Sequence, residues 1–328
     1  SSFAKFEVKG RDAATALDWI CANNLLRPPG RLTYTQMLTS RGGIEGDVTV
    51  ARLSEEHFYI VTGTGFRTHD FAWIREHLPH DAEVQLMDVT EAWGTLSLMG
   101  PNARSVLAAV TEDDVSNDAF PFGHVRSIRI AGVPLRALRV TYVGELGWEL
   151  HVPIDKIAAV YDALMAAGEG HDLRPVGYRA LDSLRLEKGY RAWGSDITPN
   201  DTPFEAGLAW AVKLSSQRPF LGREACERLA RQPLKRRLLC FTAEAPDTVL
   251  LGRETILRNG ETVGYLTSGG FGYTLNRPIG YGYLRNDAGI DQEFIESGRY
   301  ELVVANEPVP AKLHTRVLYD PELKRVKS

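Results

Sequence analysis

The sequence predicts an α+β fold of several domains that ends in a part built of strands. The chain has 328 residues, enough for two or three domains of ordinary size. Segments with strand alternation and segments with helical spacing follow one another over the first two thirds. From about residue 234 onward almost every segment is a short strand, which is typical of a small β-barrel or sandwich.

The first part of the chain is predicted to contain a hairpin between other strands and helices. The predicted strands are 3–8, 32–39, 47–53 and 57–63, and the predicted helices are 12–24 and 67–78. Asp12 stands where it can cap the first helix. The glycine turn "SRGGIEG" joins the second and third strands, and this pattern predicts the hairpin.

The middle of the chain repeats this mixture. Strands are predicted at 84–90, 94–100 and in a three-strand meander over 125–153 with turns at Gly132 and Gly144, and helices at 100–110, 156–170 and 177–190. In the last helix, Ala180 and Leu184, together with Leu181, are predicted to form the buried stripe. The segment 194–208 is rich in proline and glycine and reads as a long functional loop or a buried connection.

The last part of the chain contains the strand-only tail. Its predicted strands are 236–243, 262–270, 278–284, 299–305 and 309–319.

Composition excludes several classes of protein. The formal net charge is -4 without a run of like charges, so we expect no nucleic-acid partner. No apolar stretch is long enough for a membrane span, and the opening residues lack the apolar centre of a signal peptide. Three separated cysteines indicate reduced thiols in the cytoplasm, or in the mitochondrial matrix of a eukaryote. The scattered histidines predict no metal site.

Phosphate loops and covalent nucleophiles are not indicated either. There is no GxxxxGK[ST], no GxGxxG between a strand and a helix, and no GxSxG. The glycine-rich "SGGFGYTLNRPIGYGY" lies among strands and is best interpreted as β-turns. Cys21 falls inside a predicted helix, and nothing marks it as reactive.

Acidic residues near glycine turns are the remaining candidates. Asp47 comes directly before the β-branched run 48–50, although Asp is a poor strand residue. Either it completes the turn, or the strand holds its carboxylate at a reactive site. In "TYVGELGWEL", Glu145 is expected at an exposed turn tip, and Glu149 first reads as part of a solvated strand face. Tyr142 ends the preceding strand, and Tyr34 lies in the strand before Asp47; for each alone, ordinary packing is the favoured interpretation.

Taken together, these residues suggest a site for a flat heterocycle. Aromatic walls with a few converging carboxylates suit a pterin or guanine-like edge, which presents an amino group and a ring N–H side by side. One carboxylate can accept both hydrogen bonds. A second carboxylate near a reactive nitrogen could orient it and stabilise positive charge.

Linked motifs extend this hypothesis to a family. The segments "YTQMLTSRGGIEGDVTVARL", "FYIVTGTG", "LMGPNAR", "TYVGELGWELHVP", "GYRALDSLRLEKGYRAWGSDITPNDTPFEAGLAWAV" and "FLGREA" together resemble the folate-binding aminomethyltransferase family, which includes the glycine cleavage T-protein. "RLEKGYRAWG" and "TYVGELGWEL" are most similar to the carboxy-terminal folate-binding half of dimethylglycine and sarcosine dehydrogenases and oxidases. The resemblance covers essentially the whole chain.

The resemblance implies a multi-domain ring around a central folate channel, with a β-barrel-like domain at the carboxy end. The implied domains are 1–88, part of an α/β folate-binding domain; 89–228, a second α/β domain with a folate-binding hairpin; and 229–328, the barrel-like domain. The family usually extends further at its amino terminus, so we expect this chain to be a piece of a larger protein or fusion.

The resemblance also implies roles for single residues. Asp47 ends the motif "GGxxxD" and is the implied catalytic acid, whereas its neighbour Glu45 is expected to be an exposed turn acid. The implied pterin-holding acid is Glu149 rather than Glu145. The implied folate-lining residues are Tyr34, Thr49, Val61 and Tyr142.

The implied activity is tetrahydrofolate-dependent one-carbon transfer. It would capture a methylene group from oxidation of an N-methyl amine such as dimethylglycine or sarcosine and form 5,10-methylenetetrahydrofolate. FAD would be needed only in a flavoprotein domain or subunit elsewhere. Three alternatives stay open: a glycine cleavage T-protein, a folate-dependent demethylase and a non-catalytic folate-binding module. Leu181 stands where the glycine-cleavage branch has an arginine, which argues against the first.

Overall fold

A computed structural model describes residues 2–328. Its strands form one five-stranded sheet, one four-stranded sheet and one closed barrel of six strands. The predicted α+β class and the carboxy-terminal barrel are therefore confirmed. The domain boundaries after residues 88 and 228 stay predictions.

The first sheet has an apolar face covered by helices and a second face turned toward the second sheet. Its strands, in the order β2-β3-β4-β1-β5, are β1 (Phe3–Lys9), β2 (Leu32–Leu38), β3 (Ile44–Ser54), β4 (His57–Gly63) and β5 (Gln85–Asp88). Two helices, α1 (Ala13–Ile20) and α2 (Arg67–His77), follow β1 and β4. Phe6, Val48 and Ile60 are buried with residues of these helices, as their alternation with polar neighbours predicts.

The first helix is shorter than predicted. It ends at Ile20 rather than Asn24, because Cys21 is extended and the N–H of Ala22 bonds to the carbonyl of Gln36. Cys21 therefore lies outside the helix and bridges to β2. Asp12 precedes α1, but its side chain accepts from the N–H of Glu83 instead of capping the helix.

The second sheet packs against the first. Its strands, in the order β6-β9-β8-β7, are β6 (Trp93–Met99), β7 (Val125–Ile130), β8 (Val133–Leu138) and β9 (Gly147–Pro153). The helices α3 (Ala103–Ala108) and α4 (Ile157–Gly168) cover one face, where Trp148 and Leu150 are buried. On the other face, Leu138 packs with Tyr59 of the first sheet. We call the space between these two facing surfaces the inter-sheet seam.

Tyr142 lies outside the strands, contrary to prediction. Strand β8 ends at Leu138, because the chain turns back there and the N–H of Val140 bonds to the carbonyl of Leu138. Residues 139–146 are consequently an irregular connection before β9.

The helix that follows buries its polar side chains. In α5 (Tyr178–Lys188), Ala180 is exposed and Leu181 and Leu184 are only partly buried, so the predicted apolar stripe is wrong. The buried residues are Ser183, Arg185, Leu186, Glu187 and Lys188. Partners outside the helix make this possible, since Arg185 pairs with Asp196 and Glu187 accepts two N–H groups from the barrel. The segment 194–208 is a largely irregular connection before α6 (Arg223–Leu229).

The barrel closes in the order β10-β13-β12-β11-β14-β15. Its strands are β10 (Arg236–Ala243), β11 (Thr255–Arg258), β12 (Glu261–Gly272), β13 (Arg277–Arg285), β14 (Tyr300–Val304) and β15 (Glu307–His314), with α7 (Gln292–Glu296) and α8 (Lys324–Lys327) beside them. The sequence pattern missed β11, and the last strand ends at His314 rather than at 319. None of the helices within residues 2–328 is long and apolar enough to cross a membrane.

Candidate functional site

Three predicted folate-lining residues form a row across the first sheet. Tyr34 pairs with Thr49 across β2 and β3, and Thr49 pairs with Val61 across β3 and β4. Directly paired residues share a face of a sheet, so these three side chains are neighbours. Asp47 lies two residues before Thr49 on the same face, next to this row.

The carboxyl group of Asp47 is half-buried and held by a neighbour. Nε2 of Gln36, its cross-strand partner, donates to Oδ1 of Asp47 at 3.0 Å. Burial raises the pKa of Asp47 to about 6, although hydrogen bonds from Tyr34 and Gln36 act in the opposite direction. The group is therefore charged at neutral pH but takes up a proton under mildly acidic conditions.

The glycine turn before Asp47 is required by close packing. Gly42 has a φ of +84°, which side-chain-bearing residues rarely adopt. A Cβ on Gly43 would lie 2.4 Å from the carbonyl oxygen of Pro199. The turn therefore fits tightly against the 194–208 connection and fixes the start of β3.

Glu149 enters the inter-sheet seam from the second sheet. It is 8% exposed on β9, so the first interpretation, a solvated strand face, is wrong. The physical reason is that this face of β9 is covered by the first sheet. The nearest recorded ionic partner is His151, with 3.7 Å between its Nε2 and Oε2 of Glu149. That distance exceeds an ordinary hydrogen bond.

Tyr142 is anchored near Asp47. Its hydroxyl donates to the carbonyl of Arg191 at 3.1 Å, and its ring stacks on Tyr190 with centroids 6.1 Å apart. Burial raises the pKa of Tyr142; the charge of Arg185 opposes the increase, and the charges of Asp196, Asp182 and Asp47 add to it. Asp47 is thus one of several charged groups that act on Tyr142.

The two neighbouring acids are not exposed, contrary to prediction. The side chain of Glu45 is 16% exposed, and its Oε1 lies 2.8 Å from Nε2 of His69. The side chain of Glu145 is 15% exposed, accepts from the Tyr319 hydroxyl and lies 3.7 Å from Arg325. Both acids are partly buried because distant residues supply partners for them.

Three residues beside the site were not singled out from the sequence. Gln36 holds Asp47, and the charge of Arg191 acts on both Asp47 and Tyr34. Trp210, which is 61% exposed, stacks on Tyr34 with centroids 5.3 Å apart. Gln36 could have been found as the cross-strand neighbour of Asp47 in the predicted hairpin. The stacking of Trp210 depends on how the 194–208 connection folds back, which has no local signal.

Two surface clefts lie elsewhere. One of about 340 Å³ includes Arg223 and Glu227, and one of about 430 Å³ includes His57, Trp93 and Arg136. Neither is lined by the six predicted site residues. The inter-sheet seam is therefore the candidate site because of the side chains around Asp47 and Glu149, and not because of a large cavity.

Comparisons with known proteins agree with the fold and the motifs. Residues 1–216 match the GCVT N-terminal domain family, and residues 236–320 match the glycine cleavage T-protein C-terminal barrel domain. The crystal structure of glycine cleavage system aminomethyltransferase T from Bartonella henselae is similar, with a TM-score of 0.85 and 26% identity. The match covers 98% of this chain and 85% of that one.

Longer proteins contain a similar region. Mitochondrial sarcosine dehydrogenase of Mus musculus is 43% identical over 100% of this chain and 37% of its own length. Mitochondrial dimethylglycine dehydrogenase of Mus musculus is 36% identical over 99% of this chain and 37% of its own length. The chain thus spans little more than a third of these relatives. Because the N-terminal family covers well over half of the chain, the chain belongs to the glycine cleavage T-protein family of aminomethyltransferases.

Proposed function

We propose that this chain binds tetrahydrofolate in the inter-sheet seam and transfers a one-carbon unit to it. The donor would be an N-methyl amine undergoing oxidation, of the dimethylglycine or sarcosine type, and the product 5,10-methylenetetrahydrofolate. The observation that carries the proposal is the placement of Asp47 beside the row formed by Tyr34, Thr49 and Val61. Glu149 faces the same seam from β9.

Polar groups in this region suit a pterin. Oε1 of Gln36 is buried without a hydrogen-bond partner among the described residues, an arrangement that usually marks a missing donor. Glu149 is a buried carboxylate whose nearest recorded ionic partner is 3.7 Å away. A ligand edge with adjacent N–H groups would supply donors of the kind that a buried carboxylate needs.

Asp47 would act on the reacting part of the ligand. Tetrahydrofolate supplies the nitrogens N5 and N10 that accept the carbon unit. The Asp47 carboxylate, oriented by Gln36, would hold N5 in place and offset positive charge on the incoming carbon donor. Its pKa of about 6 also allows it to accept a proton near neutral pH.

Aromatic residues would enclose the flat rings. Tyr34 and Trp210 are stacked with an interplanar angle of 26°, and Tyr142 and Tyr190 with an angle of 12°. Aromatic faces stabilise flat heterocycles by stacking and exclude water from them. In this arrangement Thr49 and Val61 would line the floor of the site.

Oxidation of the donor would require a flavin elsewhere. The similar sarcosine and dimethylglycine dehydrogenases are much longer than this chain. We therefore propose a flavoprotein domain or subunit as partner, with FAD bound there. The three free cysteines are buried, which suits a reducing compartment, either the cytoplasm or the mitochondrial matrix.

Aminomethyl transfer within a glycine cleavage system is the second candidate. The similarity to the Bartonella henselae aminomethyltransferase over 98% of the chain favours it. Leu181 argues against it, since an arginine is expected at this position in the glycine-cleavage branch. Turnover with each donor type separates the two.

Folate binding tests the proposed site. We expect wild-type protein to bind folinic acid, a stable tetrahydrofolate analogue, in a fluorescence titration. Glu149→Gln should bind about tenfold or more weakly, because an amide cannot accept both N–H groups of the pterin edge. Glu145→Gln is the matched control, since its amide oxygen can still accept from Tyr319. Absence of binding by the wild type, or equal binding by Glu149→Gln, would refute the proposed site.

A further inference from the structure

A histidine lies behind the acid that is proposed to hold the pterin. His151 is fully buried on β9, two residues after Glu149 and on the same face. Its Nδ1 lies 3.0 Å from the hydroxyl of Tyr59. Its Nε2 has no hydrogen-bond partner among the described residues and lies 3.7 Å from Oε2 of Glu149.

The surroundings of His151 favour its neutral form. Burial lowers its pKa, and the charges of Lys5 and Arg136 lower it further, whereas Glu149 raises it; the net direction is downward. A neutral imidazole carries one N–H, on either nitrogen. The position of that proton therefore decides whether an N–H group or a lone pair of the ring faces Glu149.

The neighbours of the His151 ring determine which nitrogen carries the proton. Nδ1 lies within reach of two hydroxyl groups, that of Tyr59 at 3.0 Å and that of Thr95 at 3.5 Å, and each of them can donate to it. The Glu149 carboxylate on the other side of the ring can only accept, so it requires a donor from the nitrogen that faces it. The imidazole proton must then lie on Nε2, which faces Glu149. The opposite tautomer would direct an imidazole lone pair at a carboxylate.

We propose that His151 is a positioning residue that orients the Glu149 carboxylate through Nε2–H. In this arrangement the Tyr59 hydroxyl donates to Nδ1 of His151, and Nε2–H of His151 donates to Oε2 of Glu149. A small rotation of the carboxylate shortens the 3.7 Å distance between Nε2 of His151 and Oε2 of Glu149 to that of a hydrogen bond. The bond fixes the plane in which Glu149 accepts the ligand's N–H pair. This inference rests on the proposed folate-binding role of Glu149.

Two substitutions at His151 separate positioning from packing. His151→Leu fills the space but removes both nitrogens, so folinic acid should bind about tenfold more weakly. His151→Gln can accept from Tyr59 and donate to Glu149, so it should restore most of the affinity. Equal losses in both variants would show a packing role and overturn the proposal.

The tautomer can be measured without any ligand. In ¹⁵N-histidine NMR of the wild type, the His151 ring should be neutral with its proton on Nε2 near neutral pH. In Glu149→Leu, which removes the acceptor facing Nε2, the proton should redistribute between the two nitrogens. A proton on Nδ1 in the wild type would overturn the proposal. Because this measurement needs no folate, it stands even if folinic acid fails to bind, which would instead refute the proposed function.

Discussion

Gln36 and Asp47 are directly paired across β2 and β3, and the Gln36 amide donates to Oδ1 of Asp47 at 3.0 Å. The same amide leaves its own oxygen buried without a partner among residues 2–328. Buried polar atoms usually have a hydrogen-bond partner, so the free oxygen of Gln36 needs an explanation. The arrangement presents one acid and one free acceptor on the face of the sheet that bears Tyr34 and Thr49.

Replacing Asp47 separates catalysis from stability. Asp47→Asn should lower one-carbon transfer by roughly 10²–10³-fold, because it removes the charge that we propose to face the reacting nitrogen. Because burial raises the pKa of Asp47, keeping this group charged at neutral pH costs free energy in the folded state relative to the unfolded state. Removing that charge should therefore leave the free energy of unfolding unchanged or increase it. Parallel activity assays and urea unfolding measure both effects, and a large loss of stability would contradict this account.

Activity should depend on pH through Asp47. The rate of transfer at saturating folate should fall as pH decreases through about 6, where the carboxylate takes up a proton. The effect on stability has the opposite sign. A carboxyl group whose pKa is raised in the folded state stabilises the fold when the pH is below its unfolded-state pKa. This contribution to the free energy of unfolding is lost as the pH rises through about 6. A rate profile that is flat down to pH ~4.5 would contradict the assignment of Asp47 as the reacting acid.

Trp210 should contribute to binding and little to folding. Its side chain is 61% exposed and stacks on Tyr34, so Trp210→Ala removes a stacking surface without opening the core. We expect folinic acid to bind roughly tenfold more weakly, with an unchanged denaturation midpoint. Trp19→Ala, at another partly exposed tryptophan, serves as the control. Equal affinity of Trp210→Ala and wild type would remove this residue from the site.

The ion pair between Arg185 and Asp196 should be important for stability. Asp196 is buried, contacts Arg185 and also accepts from the hydroxyls of Thr267 and Ser268 in the barrel. Asp196→Ala leaves a buried guanidinium without this partner and should cost about 3–5 kcal/mol. Asp182, the second acid on Arg185, is half exposed, so Asp182→Ala should cost under about 1 kcal/mol. Chemical denaturation of both variants tests the difference, and equal costs would contradict it.

Local patterns predicted the arrangement of those candidate site residues that lie within one hairpin. Alternation along "LTYTQML" and "DVTVARL" is enough to bring Tyr34 and Thr49 together and to put Asp47 on the same face, because register in a hairpin is set by nearby residues. The glycine turn before Asp47 was recognised for the same reason.

Contacts between distant segments explain the predictions that were wrong. The burial of Glu149 depends on how the second sheet docks on the first, which no local pattern encodes. In α5, periodicity favoured Ala180 and Leu184, yet Arg185 and Glu187 are buried because their partners lie in the following connection and the barrel. Glu145 is likewise covered by the carboxy-terminal segment around Tyr319.

The most direct test is the rate at which 5,10-methylenetetrahydrofolate forms from tetrahydrofolate and formaldehyde in the presence of the protein. Wild type and Asp47→Asn should be compared at concentrations where folate occupancy, measured by titration, is the same. We predict that the wild type accelerates the reaction above the uncatalysed rate and that Asp47→Asn, with folate bound, does not. Equal rates for the two proteins at equal occupancy would contradict the claim that Asp47 carries the transfer.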